Sequence, residues 1–253
     1  MEKCSITQEL KFITPTSAFM KSAPDKSGKR TMLLIESGKK VAGKLFGTSL
    51  LDDVNHVISY ISHWHLDHYC DVTKVAEVCK QKQIPHSFLD FPDEYDSSTL
   101  YKNLKEYGIT RPEMISSSHA EKDLGVKNIS FKGLSHGLDM KTMSLFIEQI
   151  EGERNMKIIV PDNNDVKKCR EIFTKNLDVL DTLYFDVTQK PQFKSSHLSI
   201  QTLDRYHIPI EHRPRFIAWH FPEKGIMQLK KDIVARGFGI CDNHLFVEPN
   251  KVM

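Results

Sequence analysis

The sequence predicts a layered α/β protein of one domain, and three observations support this assignment. Short stretches in which apolar and polar residues alternate, or in which all residues are apolar, recur along the chain and are rich in β-forming residues. Amphipathic helical patterns separate the later stretches, whereas the earlier strands follow one another closely. The 253 residues suffice for one substantial core, and no repeat, low-complexity tract or linker divides them. We therefore predict a single domain over residues 1–253, in which sheets carry helices on their outer faces.

The individual elements are predicted in chain order from their periodicity. Strands are placed where residues alternate or are continuously apolar, at 9–14, 31–36, 56–61, 128–134, 142–150, 156–160, 182–187 and 214–219. Helices are placed where apolar residues recur at helical spacing, at 71–83, 97–107, 164–175, 197–206 and 224–236. Residues 21–30 and 90–98 are predicted as loops because both are rich in turn-forming residues.

The composition argues against several classes of function. The formal net charge is +2, so the chain lacks the excess of positive charge expected of a protein that binds nucleic acid in bulk. No apolar run reaches the length of a membrane span, and the N-terminus MEKCSITQELKF does not look like a signal peptide. The 5 cysteines are odd in number and form no CxxC pair. We expect a cytoplasmic, reducing location and no membrane partner.

The segment most informative about chemistry is residues 57–70, which read VISYISHWHLDHYC. An apolar strand runs directly into His63, His65, Asp67 and His68. In extended backbone the first three project to one side, because side chains two residues apart share a face. Imidazole and carboxylate groups suit zinc, manganese or iron. The motif therefore predicts a centre for two divalent metal ions, with a histidine-rich surface turn as the alternative.

This H-x-H-x-D-H motif after a strand resembles the signature of the metallo-β-lactamase superfamily. Later landmarks follow in the order of that family. The sequence LSHG around His136 resembles the third motif, PDNN around Asp162 the fourth, and AWHF around His220 the last. The resemblance implies a metallo-β-lactamase-type αββα sandwich. A glycine-rich N-terminal loop and an Asp-x-Gly are not found; Glu36, Ser37 and Gly38 stand in that region instead.

The resemblance also implies how two metal ions, most simply Zn²⁺, are held. One ion has three histidines, the other an aspartate and two histidines, and a second aspartate bridges them. The first set is His63, His65 and His136, the second is Asp67, His68 and His220, and the bridging residue is Asp162.

Three of these residues have alternative interpretations that the sequence leaves open. His136 precedes a glycine, and its alternative interpretation is an ordinary loop histidine. Asp162 has the residue type of an N-cap for the predicted helix 164–175. His220 follows an apolar strand and could be a core histidine with its hydrogen bonds satisfied.

The predicted substrate is a small phosphodiester, such as a cyclic nucleotide. Asp67 and His197 are the predicted catalytic residues, Asp67 through the second metal site. The sequence SSHLS around His197 resembles an additional motif of ribonuclease Z-type phosphodiesterases, in which a histidine protonates the leaving oxygen. The alternative is that Ser196 caps a helix and His197 is exposed.

Other activities remain open at this stage. Only residues 137–161 separate His136 from Asp162, which leaves no space for the long arm that RNA-processing relatives use to grip transfer RNA. Hydrolysis of a lactone or carboxylic ester, RNA processing, and a binding module without catalysis are the alternatives, in that order. A homodimer is possible.

Overall fold

The computed structural model of the chain describes residues 9–91, 97–136, 140–188, 197–220 and 226–241. The chain divides into two compact units, and each unit contains one six-stranded sheet with helices. Unit 1 comprises Met1–Ile129 and Asn243–Met253, and unit 2 comprises Ser130–Asp242. The mixed α/β class predicted from the sequence is confirmed. The assignment of one domain over residues 1–253 stays a prediction.

The sheet of unit 1 has its strands in sequence order from β1 to β6. The first three strands pair antiparallel, and the pairs from β3 to β6 are parallel. The strands are β1 (Lys11–Thr14), β2 (Ser17–Lys21), β3 (Arg30–Ile35), β4 (Val54–Tyr60), β5 (His86–Leu89) and β6 (Glu113–Ile115). The helices are α1 (Val41–Gly47), α2 (Leu66–Tyr69), α3 (Val72–Gln81), α4 (Ser97–Glu106) and α5 (Ser117–Leu124), with a 3-10 turn at Ser49–Leu51.

The sheet of unit 2 runs in the order β12-β11-β10-β9-β8-β7. Its strands β9 to β12 are parallel, whereas β8 and β9 form an antiparallel hairpin. The strands are β7 (Asn128–His136), β8 (Met140–Glu148), β9 (Met156–Val160), β10 (Leu180–Phe185), β11 (Phe216–Ala218) and β12 (Gly239–Ile240). The helices are α6 (Val166–Lys175), α7 (Ile200–Asp204) and α8 (Ile226–Ala235), with a 3-10 helix at Ile210–Arg215.

Each sheet is covered by helices whose apolar residues recur at helical spacing. In unit 1, Val75 and Val78 of α3 lie in one buried cluster with strand residues such as Met32 and Val57. In unit 2, Phe173 of α6 lies in the main buried cluster, which is built from strand and helix residues. Burial of these faces is what holds helices on a sheet, since the hydrophobic effect scales with the apolar area removed from water.

The structure contains every predicted strand and helix, although several ends shift by a few residues. Elements that the sequence analysis missed are the strands β2, β5, β6 and β12 and the helices α1, α2 and α5. Most of these elements are too short to show a reliable hydrophobic periodicity. The predicted loop 21–30 is confirmed for residues 22–29, and residues 92–96 of the second predicted loop lie outside the described residues. Among the helices of the described segments, none combines the length and the apolar character needed to cross a bilayer.

Candidate metal centre

The predicted metal-binding loop of unit 1 is compact. It follows β4, and the ring centroid of His63 lies 4.8 Å from that of His65 and 4.3 Å from that of His68. The carboxylate of Asp67 approaches His68, with Oδ2 3.6 Å from Nε2. All four predicted ligands of this segment are therefore together within unit 1.

The expectation that His63, His65 and Asp67 share one face of an extended segment is wrong. Helix α2 begins at Leu66, so Asp67 lies in its first turn, and extended backbone ends at His65. The amide of His68 donates to the carbonyl of His65 at 2.8 Å, which closes the first helical turn. The turn brings His68 back towards His63, an arrangement that an extended strand would not give.

A buried glutamate that the sequence analysis did not assign supports this loop. Glu36 follows β3 with a positive φ of 63°. Its Oε1 lies 3.5 Å from Nδ1 of His68, and both side chains are only 1% exposed. Both carboxylate oxygens accept from the amide of Ser62 at 3.2 Å. Its position directly after a strand that neighbours β4 was the available signal.

The backbone after Glu36 holds α2 in place. The amide of Ser37 donates to the carbonyl of His68 at 2.6 Å, and the amide of Asp71 donates to the carbonyl of Ser37 at 2.8 Å. Gly38 lies so close that a Cβ on it would come within 2.0 Å of the carbonyl oxygen of Asp67. A side chain does not fit there, so a glycine is required by this close approach.

In unit 2, three candidate side chains follow the carboxyl ends of neighbouring parallel strands. Asp162 comes after β9, Asp186 after β10 and His220 after β11. Nδ1 of His220 hydrogen-bonds Oδ1 of Asp162 at 2.5 Å and lies 3.6 Å from Oδ1 of Asp186. Side chains at the ends of parallel strands converge at one edge of a sheet, which explains why residues far apart in sequence meet here.

His197 is part of the same cluster. Its Nδ1 hydrogen-bonds Oδ2 of Asp186 at 2.7 Å and lies 3.7 Å from Oδ2 of Asp162. The backbone fixes its position, because Thr188 donates its amide to the carbonyl of Leu198 at 2.7 Å and accepts from the amide of Ile200 at 2.9 Å.

His136 ends β7 and is buried in unit 2. The centroid of its ring lies 6.5 Å from that of His197, and the centroid of His220 lies 5.9 Å from that of His197. All the predicted site residues of unit 2 therefore lie near one another. Gly137 and Phe221, which flank His136 and His220 in the sequence motifs, are outside the described residues.

Asp186 is the main residue of this cluster that the sequence analysis missed. It is fully buried, and within the described residues its Oδ1 accepts no hydrogen bond. The signal for it was its position at the end of a predicted strand, as for Asp162 and His220. It was overlooked because its sequence context, FDVT, contains no histidine that would draw attention to it.

Two capping alternatives are also settled by the geometry. The N-cap of α6 is Asp165, whose side chain accepts from the amide of Lys168 at 3.0 Å, so the capping role considered for Asp162 is wrong. Helix α7 begins at Ile200 rather than at 197, and its N-cap is Ser199. Ser195 and Ser196 lie outside the described residues, while His197 precedes the helix and contacts Asp186.

The buried charges of unit 2 perturb one another. Burial raises the pKa of Asp186, and the neighbouring charge of Asp162 raises it further. Burial by itself would lower the pKa of His197, but the hydrogen bond and negative charge of Asp186, with the charge of Asp162, outweigh it and raise the pKa. A histidine held by a buried carboxylate is thus favoured in its protonated form.

This donor set fits a divalent metal ion. Asp162, Asp186, His197 and His220 each offer a ligand atom, and these atoms all lie within 4.8 Å of one another. Oxygen and imidazole nitrogen ligands of this kind suit Zn²⁺, Mn²⁺ or Fe²⁺. The buried carboxylate oxygen of Asp186 agrees with a site built for a cation, because such an atom is costly to bury without a partner.

Solved structures resemble this chain over most of its length. YhfI from Bacillus subtilis, a metallo-β-lactamase fold protein, matches with a TM-score of 0.60 and 14% identity over 89% of this chain and 86% of that chain. The chain has the metallo-β-lactamase fold. A diphosphatase of the PhnP family matches this fold with a TM-score of 0.56 and 13% identity over 89% and 80% of the two chains. The short form of human tRNase Z matches with a TM-score of 0.54 and 13% identity over 96% of each chain.

Comparisons with protein-family models and with curated proteins gave no match. The likeness is therefore one of fold, at low sequence identity. Within this metallo-β-lactamase fold, the predicted ligands occupy a strand-to-helix loop of unit 1 and the strand ends of unit 2.

Three further histidines of the described residues are hydrogen-bonded or exposed. His56 hydrogen-bonds Asp123 and Ser87 at 3.0 and 2.9 Å, and His86 hydrogen-bonds Ser59 at 2.8 Å. His119 is exposed on α5. His244 lies outside the described residues.

Proposed function

We propose that this chain is a two-metal phosphodiesterase that cleaves a small phosphodiester, such as a cyclic nucleotide. The observation that carries the proposal is the hydrogen bond of 2.7 Å between His197 and the buried Asp186, next to Asp162 and His220. It equips a candidate metal centre with a histidine able to donate a proton. Such a donor is what cleavage of a phosphodiester with an alkoxide leaving group requires.

The metal ligands predicted from the sequence are part of this proposal. The first ion would be bound by His63, His65 and His136, the second by Asp67, His68 and His220, with Asp162 shared. The compact ligand loop of unit 1 and the mutually close donors of unit 2 support this assignment. When bound, such ions supply Lewis-acid activation of a phosphoryl group and of water.

The chain's own contribution to catalysis is proton transfer and orientation. Nδ1 of His197 faces Asp186, so the proton for the leaving oxygen would be carried by Nε2. Asp186 would hold the ring in one orientation and stabilise its cation, as a buried carboxylate does for a catalytic histidine. In this assignment neither residue is a metal ligand: Asp162 and His220 bind metal, Asp186 is a positioning residue, and His197 is the proposed general acid.

A small substrate is preferred over a large RNA for two reasons. The net charge of +2 gives no strong electrostatic attraction to a polyanion. The hairpin of β8 and β9 also connects through residues 149–155, a short segment that offers no extended arm. We retain the predictions of a cytoplasmic location and a possible homodimer as part of this proposal.

The proposal is tested by metal analysis and then by comparing leaving groups. Native mass spectrometry of the purified protein should show about two divalent ions per chain. In a panel of phosphodiesters, lactones and β-lactams, the phosphodiesters should be cleaved. His197→Ala should slow a diester with an alkyl alkoxide leaving group by roughly 10²–10⁴-fold and a nitrophenyl diester far less.

The matched control is His119→Ala, which removes an exposed histidine from α5 and should change neither rate nor metal content. An equal loss on both leaving groups would contradict the acid role of His197. Cleavage of lactones without any phosphodiesterase activity would replace the proposed function by an ester hydrolase, and cleavage of precursor transfer RNA in preference to small diesters would replace it by RNA processing.

A further inference from the structure

Trp64 lies on the side of the ligand loop that faces away from the candidate ligands His63 and His65. The ring centroids of the two histidines are 4.8 Å apart, so both rings project to one side of the extended segment. Side chains alternate along extended backbone, and Trp64 therefore points to the opposite side. There it packs against a buried cluster that includes Leu104 of α4. This packing joins the ligand loop to α4 through a side chain that does not itself bind metal.

Tyr107, directly after α4, contacts this tryptophan and also the tyrosine that follows the ligand loop. The ring of Tyr107 is nearly parallel to that of Trp64, with an interplanar angle of 8° and centroids 5.5 Å apart. The ring centroid of Tyr69 lies 4.5 Å from that of Tyr107 and 4.6 Å from that of Trp64. The hydroxyl groups of the two tyrosines hydrogen-bond each other. Trp64, Tyr69 and Tyr107 thus form one aromatic cluster.

The backbone of Tyr107 is held independently of the ligand loop. Its amide donates to the carbonyl of Asn103 at 2.9 Å, which continues the last turn of α4. Its carbonyl accepts from the hydroxyl of Thr73 in α3. Gly108 follows with a φ of 92°, a left-handed conformation that commonly ends a helix. The ring of Tyr107 therefore extends from a fixed point and restrains the two aromatic side chains that it contacts.

The two partners of Tyr107 flank the ligands in the sequence. Trp64 stands between two candidate ligands, and Tyr69 directly follows His68. The ring of Tyr107 is 44% exposed, so its burial contributes less to stability than that of a core ring. Its contacts act mainly on the orientation of the segment that carries the ligands.

We propose that Tyr107 is a positioning residue of the metal centre, which holds Trp64 by stacking and Tyr69 by the hydroxyl hydrogen bond. The candidate ligands beside these two side chains are thereby kept in the orientation that a metal ion requires. The inference rests on the proposed two-metal function and adds to it a residue outside the ligand motifs. Because support around metal ligands sets their affinity, the contribution of Tyr107 is measurable as Zn²⁺ binding without any substrate.

The first experiment compares Tyr107→Leu with Tyr101→Leu. Tyr101 lies within α4, is 40% exposed and contacts Lys105 of the same helix, so it is a matched control. Chelator-treated full-length protein is titrated with Zn²⁺ in competition with a chromophoric chelator, and urea unfolding without metal gives the stability. Tyr107→Leu should weaken Zn²⁺ binding about 10-fold, the lower end of the range for lost support around ligands, and Tyr101→Leu should not. Reduced stability of Tyr107→Leu with an unchanged Zn²⁺ affinity would show a merely structural role and overturn the proposal.

Tryptophan fluorescence of the same variants reports directly on Trp64. The chain has 2 tryptophans, and the other, Trp219 of unit 2, is only 2% exposed. In metal-free Tyr107→Leu, emission should shift to longer wavelength and acrylamide should quench it more strongly, because Trp64 loses its stacked partner. Tyr101→Leu should behave as the wild type does. Unchanged emission and quenching in Tyr107→Leu would show that Tyr107 does not restrain Trp64, and the proposal would fail.

The variants Tyr69→Phe and Tyr107→Phe test the hydroxyl hydrogen bond separately. Each removes the same bond and keeps both rings, so each should weaken Zn²⁺ binding less than Tyr107→Leu does. The double variant should equal the single variants, since the two hydroxyl groups act as one pair. Additive losses would contradict the shared role of the hydroxyl groups. Zn²⁺ binding that depends on Tyr107 without cleavage of any phosphodiester would count against the proposed function alone, whereas a wild type that holds no metal would overturn both.

Discussion

Replacing Gly38 by alanine tests how the ligand loop of unit 1 is held. The added Cβ would lie 2.0 Å from the carbonyl oxygen of Asp67 and 2.4 Å from Oγ1 of Thr16. The Asp67 backbone must retreat by about 1 Å before the contact becomes tolerable, because real Cβ atoms essentially never approach closer than 3.0 Å. Overpacking of this kind costs about 1–3 kcal/mol in the free energy of unfolding.

The same displacement should also weaken metal binding. Asp67 precedes His68, whose carbonyl accepts from Ser37, so the backbone on both sides of the clash belongs to the ligand loop. Loss of support around metal ligands typically weakens metal affinity by roughly 10–100-fold. We therefore expect Gly38→Ala to be less stable without metal and also to bind Zn²⁺ more weakly.

The assay compares this variant with Gly43→Ala. Gly43 lies inside α1 with no atom within 4 Å of its added Cβ, so this substitution should stabilise the protein by about 0.5–1 kcal/mol. Urea unfolding of chelator-treated protein gives the stability, and competition with a chromophoric chelator gives the Zn²⁺ affinity. If Gly38→Ala matched Gly43→Ala in both measurements, the close approach would not govern the loop.

Two further predictions concern unit 2 and the core of unit 1. Asp162→Ala should lower turnover by several orders of magnitude and change the stability of α6 little. Asp165→Ala should cost about 0.5–2 kcal/mol in unfolding free energy and leave metal binding intact, because Asp165 is the N-cap of α6. The opposite pattern in melting temperature and turnover would contradict these two roles. Burial, with the charge of His56, lowers the pKa of His86 to about 4, so the unfolded chain binds the proton first as pH falls. The stability contributed by neutral His86 should be complete above its ordinary pKa of about 6.5 and decline by about 2 kcal/mol between pH 7 and 5. Urea titrations of chelator-treated wild type and His86→Gln should differ in this slope, and identical slopes would refute the assignment.

The fold class could be predicted from the sequence because the long apolar stretches leave little ambiguity. Strands such as β9 have enough consecutive apolar residues to be recognised without a partner. Strand β6, with 3 residues, and β12, with 2, exist because a neighbouring strand supplies their hydrogen bonds. That partnership is a tertiary property, which local periodicity does not contain.

The candidate site was predicted unevenly for a similar reason. The ligand loop at residues 63–68 is local, so its motif is visible in one short run of sequence. Glu36 and Asp186 belong to the candidate site because each directly follows a strand, β3 and β10 respectively. The sequence places both after apolar stretches, but only the structure shows that His68 lies beside Glu36 and His197 beside Asp186.

The parallel pairing of β9, β10 and β11 also determines how the candidate metal-binding side chains of unit 2 are positioned. Asp162, Asp186 and His220 take their spacing from backbone hydrogen bonds within the sheet rather than from the loops that follow. Their alignment is therefore completed when the sheet forms, and little conformational freedom is left to lose when a cation arrives. Such a preorganised donor set depends little on the length and sequence of the segments that follow the strands.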